Sequence, residues 1–220
     1  MKKILALILA AMLLLTLVAC GTPAETEAGN NANTEADTTV ETEAETEAAP
    51  ELAYKSALEL LTQVYNGYNA GATEDTMLYV AGGNINNFET VNTEGPAKFV
   101  ALADEDYDQN LGYPTADAAK IDDAASMFNM MNVNTFNCYT VHFTNGGDVD
   151  AMVETIKANI LARHWMCGSP EKLVIVKIPG DYLLVVWGVV QFGGIVDPFV
   201  ASIANSVEGA TTVVEHSFEA

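Results

Sequence analysis

Residues 182–190, Tyr-Leu-Leu-Val-Val-Trp-Gly-Val-Val, form an almost continuous apolar run. A strand with one solvated face alternates apolar and polar residues, whereas a strand covered on both faces does not. The run therefore predicts a central strand with packed layers on both sides. Its flanks agree. Pro179-Gly180 suits a type II turn, because proline presets φ at the second position and glycine permits φ > 0 at the third. Residues 173–178, just before the turn, read as a partner strand.

The neighbouring segments extend the pattern. In 136–143, Tyr139, Val141 and Phe143 face one way and Cys138, Thr140 and His142 the other, which predicts a strand with one well-buried face. Asn145-Gly146-Gly147 turns the chain, and Asp148 can cap a following helix through its carboxylate. The apolar stripe of that helix is Val149, Met152, Val153, Ile156 and Ile160. Asp197-Pro198 reads as an N-cap with proline at the first helical position, opening a short helix over 199–207 that Gly209 stops. Residues 211–218 are a final strand. From 136 the order is β-α-β-β-α-β, the split arrangement of ferredoxin-like folds, in which the first and third strands are central.

Upstream, 52–68 predicts a helix, with Tyr54, Leu58, Leu61, Tyr65 and Tyr68 at helical spacing. Residues 77–81 and 97–103 suggest short strands, and 104–114 a loop. The spacing of Ile121, Ala125, Phe128 and Met131 predicts a helix over 115–131. The expected class is α+β: a ferredoxin-like β-α-β-β-α-β arrangement in the C-terminal half, with an N-terminal helix and short α/β extension packed on it.

The beginning of the chain has a different character. Lys2 and Lys3 precede an apolar stretch over 4–18, interrupted by Thr16. About fifteen residues at 1.5 Å each fall short of a 30 Å hydrocarbon core, which fits a signal peptide over 1–19 better than a permanent span. The stretch ends Leu17-Val18-Ala19-Cys20-Gly21. This resembles the lipobox of bacterial lipoproteins, and the resemblance implies a lipid on Cys20 and a location at the cell membrane, on its extracytoplasmic face. Two or more acyl chains anchor a protein stably, each buried CH₂ contributing about 0.8 kcal/mol. Residues 20–50 carry Thr/Glu/Ala repeats with no aromatic residue and no Lys or Arg. They are expected to stay disordered, as an acidic tether for a single domain over 51–220.

The chain carries 30 acidic and 9 basic residues. Residues 51–220 hold 22 and 7 of these, a net charge of −15. Nucleic acid and anionic lipid surfaces both call for basic patches, so neither is an expected partner of the domain. The expected partners are the membrane, through the anchor on Cys20, and an unidentified extracytoplasmic protein or small ligand.

Gly146-Gly147-Asp148-Val149-Asp150 with its amphipathic helix, Pro170-Glu171, and Gly180-Asp181-Tyr182 leading into the apolar strand together resemble an uncharacterised, domain-of-unknown-function family of small bacterial lipoproteins. The resemblance covers roughly 136–190. It implies a lipoprotein location and brings no activity and no site residues.

Candidate chemistry is sparse. Cys138, His142, His164 and Cys167 have the residue types of a zinc site. Cys138 and His142 lie about 13 Å apart along one strand, too far for one ion. In the predicted topology the first strand starts where the first helix finishes, which makes Cys138–Cys167 a candidate disulfide outside the cytoplasm. Asp104, Asp106, Asp108 and Asn110 alternate as calcium ligands do. Gln109 stands where the sharp turn of an EF-hand needs glycine, and Thr115 where its bidentate glutamate belongs. No Gly-x-Ser-x-Gly elbow, His-Glu-x-x-His or phosphate-binding glycine loop occurs, and no cofactor is expected. The expected role is a non-catalytic binding or envelope accessory domain. The alternatives are an extracytoplasmic enzyme whose site assembles only in the fold, and a structural envelope protein.

Overall fold

The computed structural model describes residues 52–74, 76–144, 148–166, 168–191 and 193–219. The fold is α+β, built on one six-stranded antiparallel sheet in the order β1-β2-β3-β5-β4-β6. The strands are β1 (Ala97–Lys98), β2 (Ile121–Phe128), β3 (Phe136–Phe143), β4 (Lys172–Ile178), β5 (Tyr182–Gly188) and β6 (Thr211–Ser217). The helices are α1 (Ala57–Gly71), α2 (Val149–Leu161) and α3 (Val196–Ser206). Among the described residues no helix is long and apolar enough to cross a membrane.

The apolar run that dominates the sequence becomes β5, buried at every position. Its alternate residues serve two cores. Leu184 and Val186 pack with Cys138, Val174 and Val176 against α1 and α3. Leu183, Val185 and Trp187 pack with Tyr139, Val141, Leu173 and Ile175 against α2. Burying such a side chain fully contributes roughly 1.5–3 kcal/mol, so β5 stabilises both cores at once.

β3, α2, β4 and β5 form the split unit, with β5 inserted between β3 and β4 and antiparallel to both. The first and third strands of the unit, β3 and β5, are the central pair of the six-stranded sheet, but the last strand departs from the ferredoxin-like arrangement, which would set it beside β3. One side of β3 is occupied by β2, so β6 pairs with β4 at the other end of the sheet. Both crossovers, β3 to β4 and β5 to β6, then move the same way across the sheet from oppositely directed strands. They can share one handedness only if their helices lie on opposite faces. They do: α2 belongs to one core and α3 to the other.

Local signals explain most boundaries. Ser56 caps α1, its hydroxyl accepting from Glu59 N at 3.1 Å, and Asp148 caps α2 by accepting from Ala151 N at 2.9 Å. α3 begins before the predicted cap. Val196 is buried and opens the helix, while Asp197 lies in its first turn and receives Lys172 Nζ at 2.7 Å. The β4–β5 turn places both Gly180 (φ 79°) and Asp181 (φ 61°) in the left-handed region, where a type II turn needs only one residue. Aspartate tolerates this conformation better than most side chains.

The predicted helix over 115–131 is the main error. A 3₁₀ helix covers Thr115–Lys120, and β2 follows. A bulge between Ile121 and Asp123 shifts the register by one residue, so Ile121 and Ala124, three apart, join the same core. The supposed helical face divides: Ile121 joins the α2-side core, Ala125 packs on the α1 side, and Met131 is exposed. Of 97–103 only Ala97–Lys98 forms a strand, and 77–81 contributes a single bridge, Ala81 to Phe128. The predicted loop over 104–114 contains a π-helical turn, Tyr107–Leu111.

Candidate functional site

On the α2 face, at the end of the sheet where β2 and β5 finish and β3 begins, lies a cavity of about 450 Å³. Its floor is Phe128, Asn137 and Trp187. Antiparallel register puts these three side by side, Phe128 opposite Asn137 and Asn137 opposite Trp187. Arg163 to Met166, directly after α2, make one wall, and Gly83 and Ile85 contribute to another. The β2–β3 connection supplies the rim, where Met130 and Met131 stand exposed beside Met166.

Hydrogen bonds set these walls. Ser126 Oγ donates to Gly83 O at 2.8 Å and accepts from Gly83 N at 3.0 Å, clasping the 83–85 segment to β2. Asn129 Oδ1 accepts from Met131 N at 2.9 Å and Asn132 N at 3.3 Å, shaping the rim. Asn134 Nδ2 donates to Gly168 O, joining the rim to the segment after α2.

Arg163 is the chain's only arginine, and Trp165 and Trp187 are its only tryptophans. All three line the cavity. The guanidinium carbon stands 4.9 Å from the centre of the Trp165 ring and 5.7 Å from that of Trp187. Stacking on aromatic faces holds the cation while leaving its in-plane N–H groups free to bond. Nη2 donates to Gln109 O at 2.8 Å. Burial lowers the Arg163 pKa, against the pull of Asp108 and Tyr139 nearby.

Among the described residues, Arg163 Nη1, Trp165 Nε1, Trp187 Nε1 and Asn137 Oδ1 are buried without a hydrogen-bond partner. Arg163 forms no ion pair there either. Buried polar groups are nearly always satisfied, and an unmade bond costs about 1–3 kcal/mol. These three donors and one acceptor all belong to residues that line the cavity, and no protein group among the described residues satisfies them. No Asp or Glu is among the residues lining it, and the Ser126 hydroxyl is committed to Gly83.

No protein-family model, no curated protein and no solved structure matches the chain. The cavity's own chemistry therefore carries the functional argument.

The residues singled out from sequence lie elsewhere. Asp106 is buried and accepts from Asn86 Nδ2 at 2.7 Å, Leu102 N at 3.0 Å, Asn84 Nδ2 at 3.2 Å and Ala103 N at 3.3 Å. These bonds, the one from Asn86 foremost, hold its carboxyl below the usual carboxylate range. Asp108 Oδ1 accepts from Asn159 Nδ2 at 2.7 Å, tying the π-helical turn to α2. Asn110 Oδ1 accepts from Ile85 N at 3.2 Å, and Asp104 is exposed. Three of the four therefore serve separate bonds instead of converging on one point. Among the described residues no group of three or more His, Cys, Asp or Glu is placed to hold a metal ion. His142 pairs with Asp122 at 2.5 Å, and His164 is exposed at the cavity rim. Cys138 is buried in the core under α1, where desolvation raises its thiol well above the ordinary value. Cys20 and Cys167 lie outside the described residues, and with them the lipidation site and the candidate disulfide.

Sequence reasoning missed Arg163, Trp165, Trp187 and Asn137. One signal was present: a lone arginine two residues before one of only two tryptophans, in a strongly acidic chain. Its meaning depended on Trp187, which was read as core.

Proposed function

We propose that the protein is a lipid-anchored, extracytoplasmic binding protein, tethered through Cys20 and using the Arg163–Trp165–Trp187 cavity to hold a ligand. The observation that carries this reading is the set of buried, unpartnered donors around the cavity. A concave site with aromatic walls and a few converging polar groups is what small-molecule recognition requires. Binding is favoured over catalysis because the lining offers hydrogen-bond donors and stacking surfaces, with no carboxylate beside the one buried hydroxyl, Ser126. The lipobox-like Val18-Ala19-Cys20-Gly21 and the acidic stretch after it support the tether.

Two measurements test the two halves. Labelling growing cells with a radioactive fatty acid should mark the wild-type chain, and a Cys20→Ser variant should lose both label and membrane association. An unlabelled wild-type chain refutes the anchor. For the cavity, a screen of small molecules by tryptophan fluorescence has an unusual advantage, since both tryptophans line the site and no others contribute. A broad screen leaving the emission unchanged refutes the ligand site.

A further inference from the structure

We propose that the cavity selects a small monocarboxylic acid with an apolar body, preferring a 2-amino or 2-hydroxy acid to the plain acid. This deepens the reading of the cavity as a ligand site and rests on it.

Charge sets the valence. Arg163 brings the one guanidinium in the lining, within a domain whose formal net charge is −15, and Asp108 lies near enough to act on it. A single half-buried cation balances one negative charge. A phosphate dianion would enter with a charge unopposed, against the field of the whole domain. A carboxylate is therefore the anion that fits.

Geometry sets the contact. The guanidinium carbon lies over both indoles, whose ring centres are 6.3 Å apart, and Gln109 O takes Nη2, which leaves Nη1 as a buried donor without a partner. A planar carboxylate is the natural acceptor for a planar guanidinium edge. Trp165 Nε1 and Trp187 Nε1 add two more unpartnered donors for its oxygens. Asn137 Oδ1 has the opposite polarity and asks for a donor on the ligand, which an ammonium or hydroxyl next to the carboxylate supplies. The rest of the lining is mixed, with Gln109, Asn110, Ser126, Asn132, Asn134 and His164 among apolar side chains. Phe128 and the Trp187 ring form a flat floor, and Met130 and Met131, unbranched and exposed, can fold over an apolar body of variable shape. At about 450 Å³ the cavity is at the small end of the range for ligand sites.

The test titrates the purified full chain with four probes while following tryptophan emission, with calorimetry as a second readout. The probes are L-phenylalanine, 3-phenylpropionate, 3-phenyl-1-propanol and inorganic phosphate. The expected order is phenylalanine tightest, phenylpropionate next, the alcohol at least tenfold weaker than phenylpropionate, and phosphate silent. Arg163→Met should erase the advantage of acid over alcohol, and Arg163→Lys should keep part of it. Asn137→Ala should bring phenylalanine down to the level of phenylpropionate. Should Arg163→Met fail to fold, judged by circular dichroism, the wild-type order and Arg163→Lys still decide. Equal affinity for acid and alcohol overturns the carboxylate class while leaving the cavity an apolar ligand site. Binding of phosphate alone overturns it too. Silence towards all four probes, in a folded chain, overturns both this inference and the ligand-site reading beneath it.

Discussion

Replacing Ser126 with alanine removes one hydroxyl that makes two bonds. Ser126 is 2% exposed, and its Oγ both donates to and accepts from the backbone of Gly83. The substitution leaves a buried carbonyl and a buried N–H without this partner. Leaving one such group unsatisfied costs about 1–3 kcal/mol. Two offsets act against a doubled value. The hydroxyl's own desolvation disappears, and Gly83 borders a cavity that water can enter. A net loss of about 2 kcal/mol is expected. For a domain of this size each kcal/mol lowers the melting temperature by roughly 2–4 °C, which gives a fall of about 4–8 °C. Urea unfolding should show a lower midpoint at unchanged slope, because the native fold is kept. The cavity should respond as well, since the clasp sets the wall at Gly83 and Ile85. Ser126→Cys, nearly isosteric but a weak hydrogen-bonding group, should fall between the two. A Ser126→Ala midpoint within about 0.3 kcal/mol of wild type would falsify the clasp.

Three further outcomes are expected. Gly112→Ala should destabilise by roughly 2–4 kcal/mol in urea: φ is 68°, which costs about 1–2 kcal/mol for a side chain, and the new Cβ would stand 2.6 Å from Ile160 Cγ1; a neutral result would show that the turn relaxes freely. Asp106 has a depressed folded-state pKa, so its stabilisation is fully present above the unfolded value near 3.9 and is lost as pH falls through the lower folded value; the wild-type advantage over Asp106→Asn should therefore shrink on acidification below pH 4, and an advantage that stays constant down to acid unfolding contradicts the network. Burial, with help from Asp123, pushes the Tyr182 phenol up to about 12; Tyr182→Phe should remove ultraviolet phenolate absorbance only from the most alkaline part of the titration, and loss near pH 10 would mean the ring is solvated.

How much was legible in the sequence depended on whether a signal was local. β5, the strand at 136–143 and the Asp148 start of α2 follow from side-chain period and capping, and the structure has them there; α1 starts at Ala57, later than the expected 52, and β3 is buried on both faces where one was expected. The bulge at Asp122 was not legible, because it changes the phase of β2 without any glycine or proline to mark it. The position of β6 was not legible either. It depends on which edge of β3 is already occupied, and β2 had been read as helix. That one misreading propagated into the topology. The site failed to show for a related reason. Arg163 and Trp165 are neighbours in sequence, but Trp187 and Asn137 reach them only through sheet register. The acidic run at 104–110 looked like chemistry because its spacing is periodic. In the fold the Asp106 and Asp108 carboxylates accept from backbone and amide donors, and Asp104 is exposed.

The bulge in β2 has a mechanical meaning. It turns Asp123 toward the start of α1, where its carboxylate accepts from Ala57 N at 2.8 Å. Three residues earlier, Tyr54 donates its hydroxyl to Pro179 O at 2.8 Å and meets the Tyr182 ring edge-on. A pull on the chain ahead of Leu52 therefore enters the domain through two cross-links, one to the β4–β5 turn and one to β2, before it reaches the first turn of α1. Both cross-links lie on the α1 side of the sheet, and the Arg163 cavity opens on the other. Tension that frays 52–56 can be absorbed there, with β5, buried at every position, standing between the loaded face and the cavity.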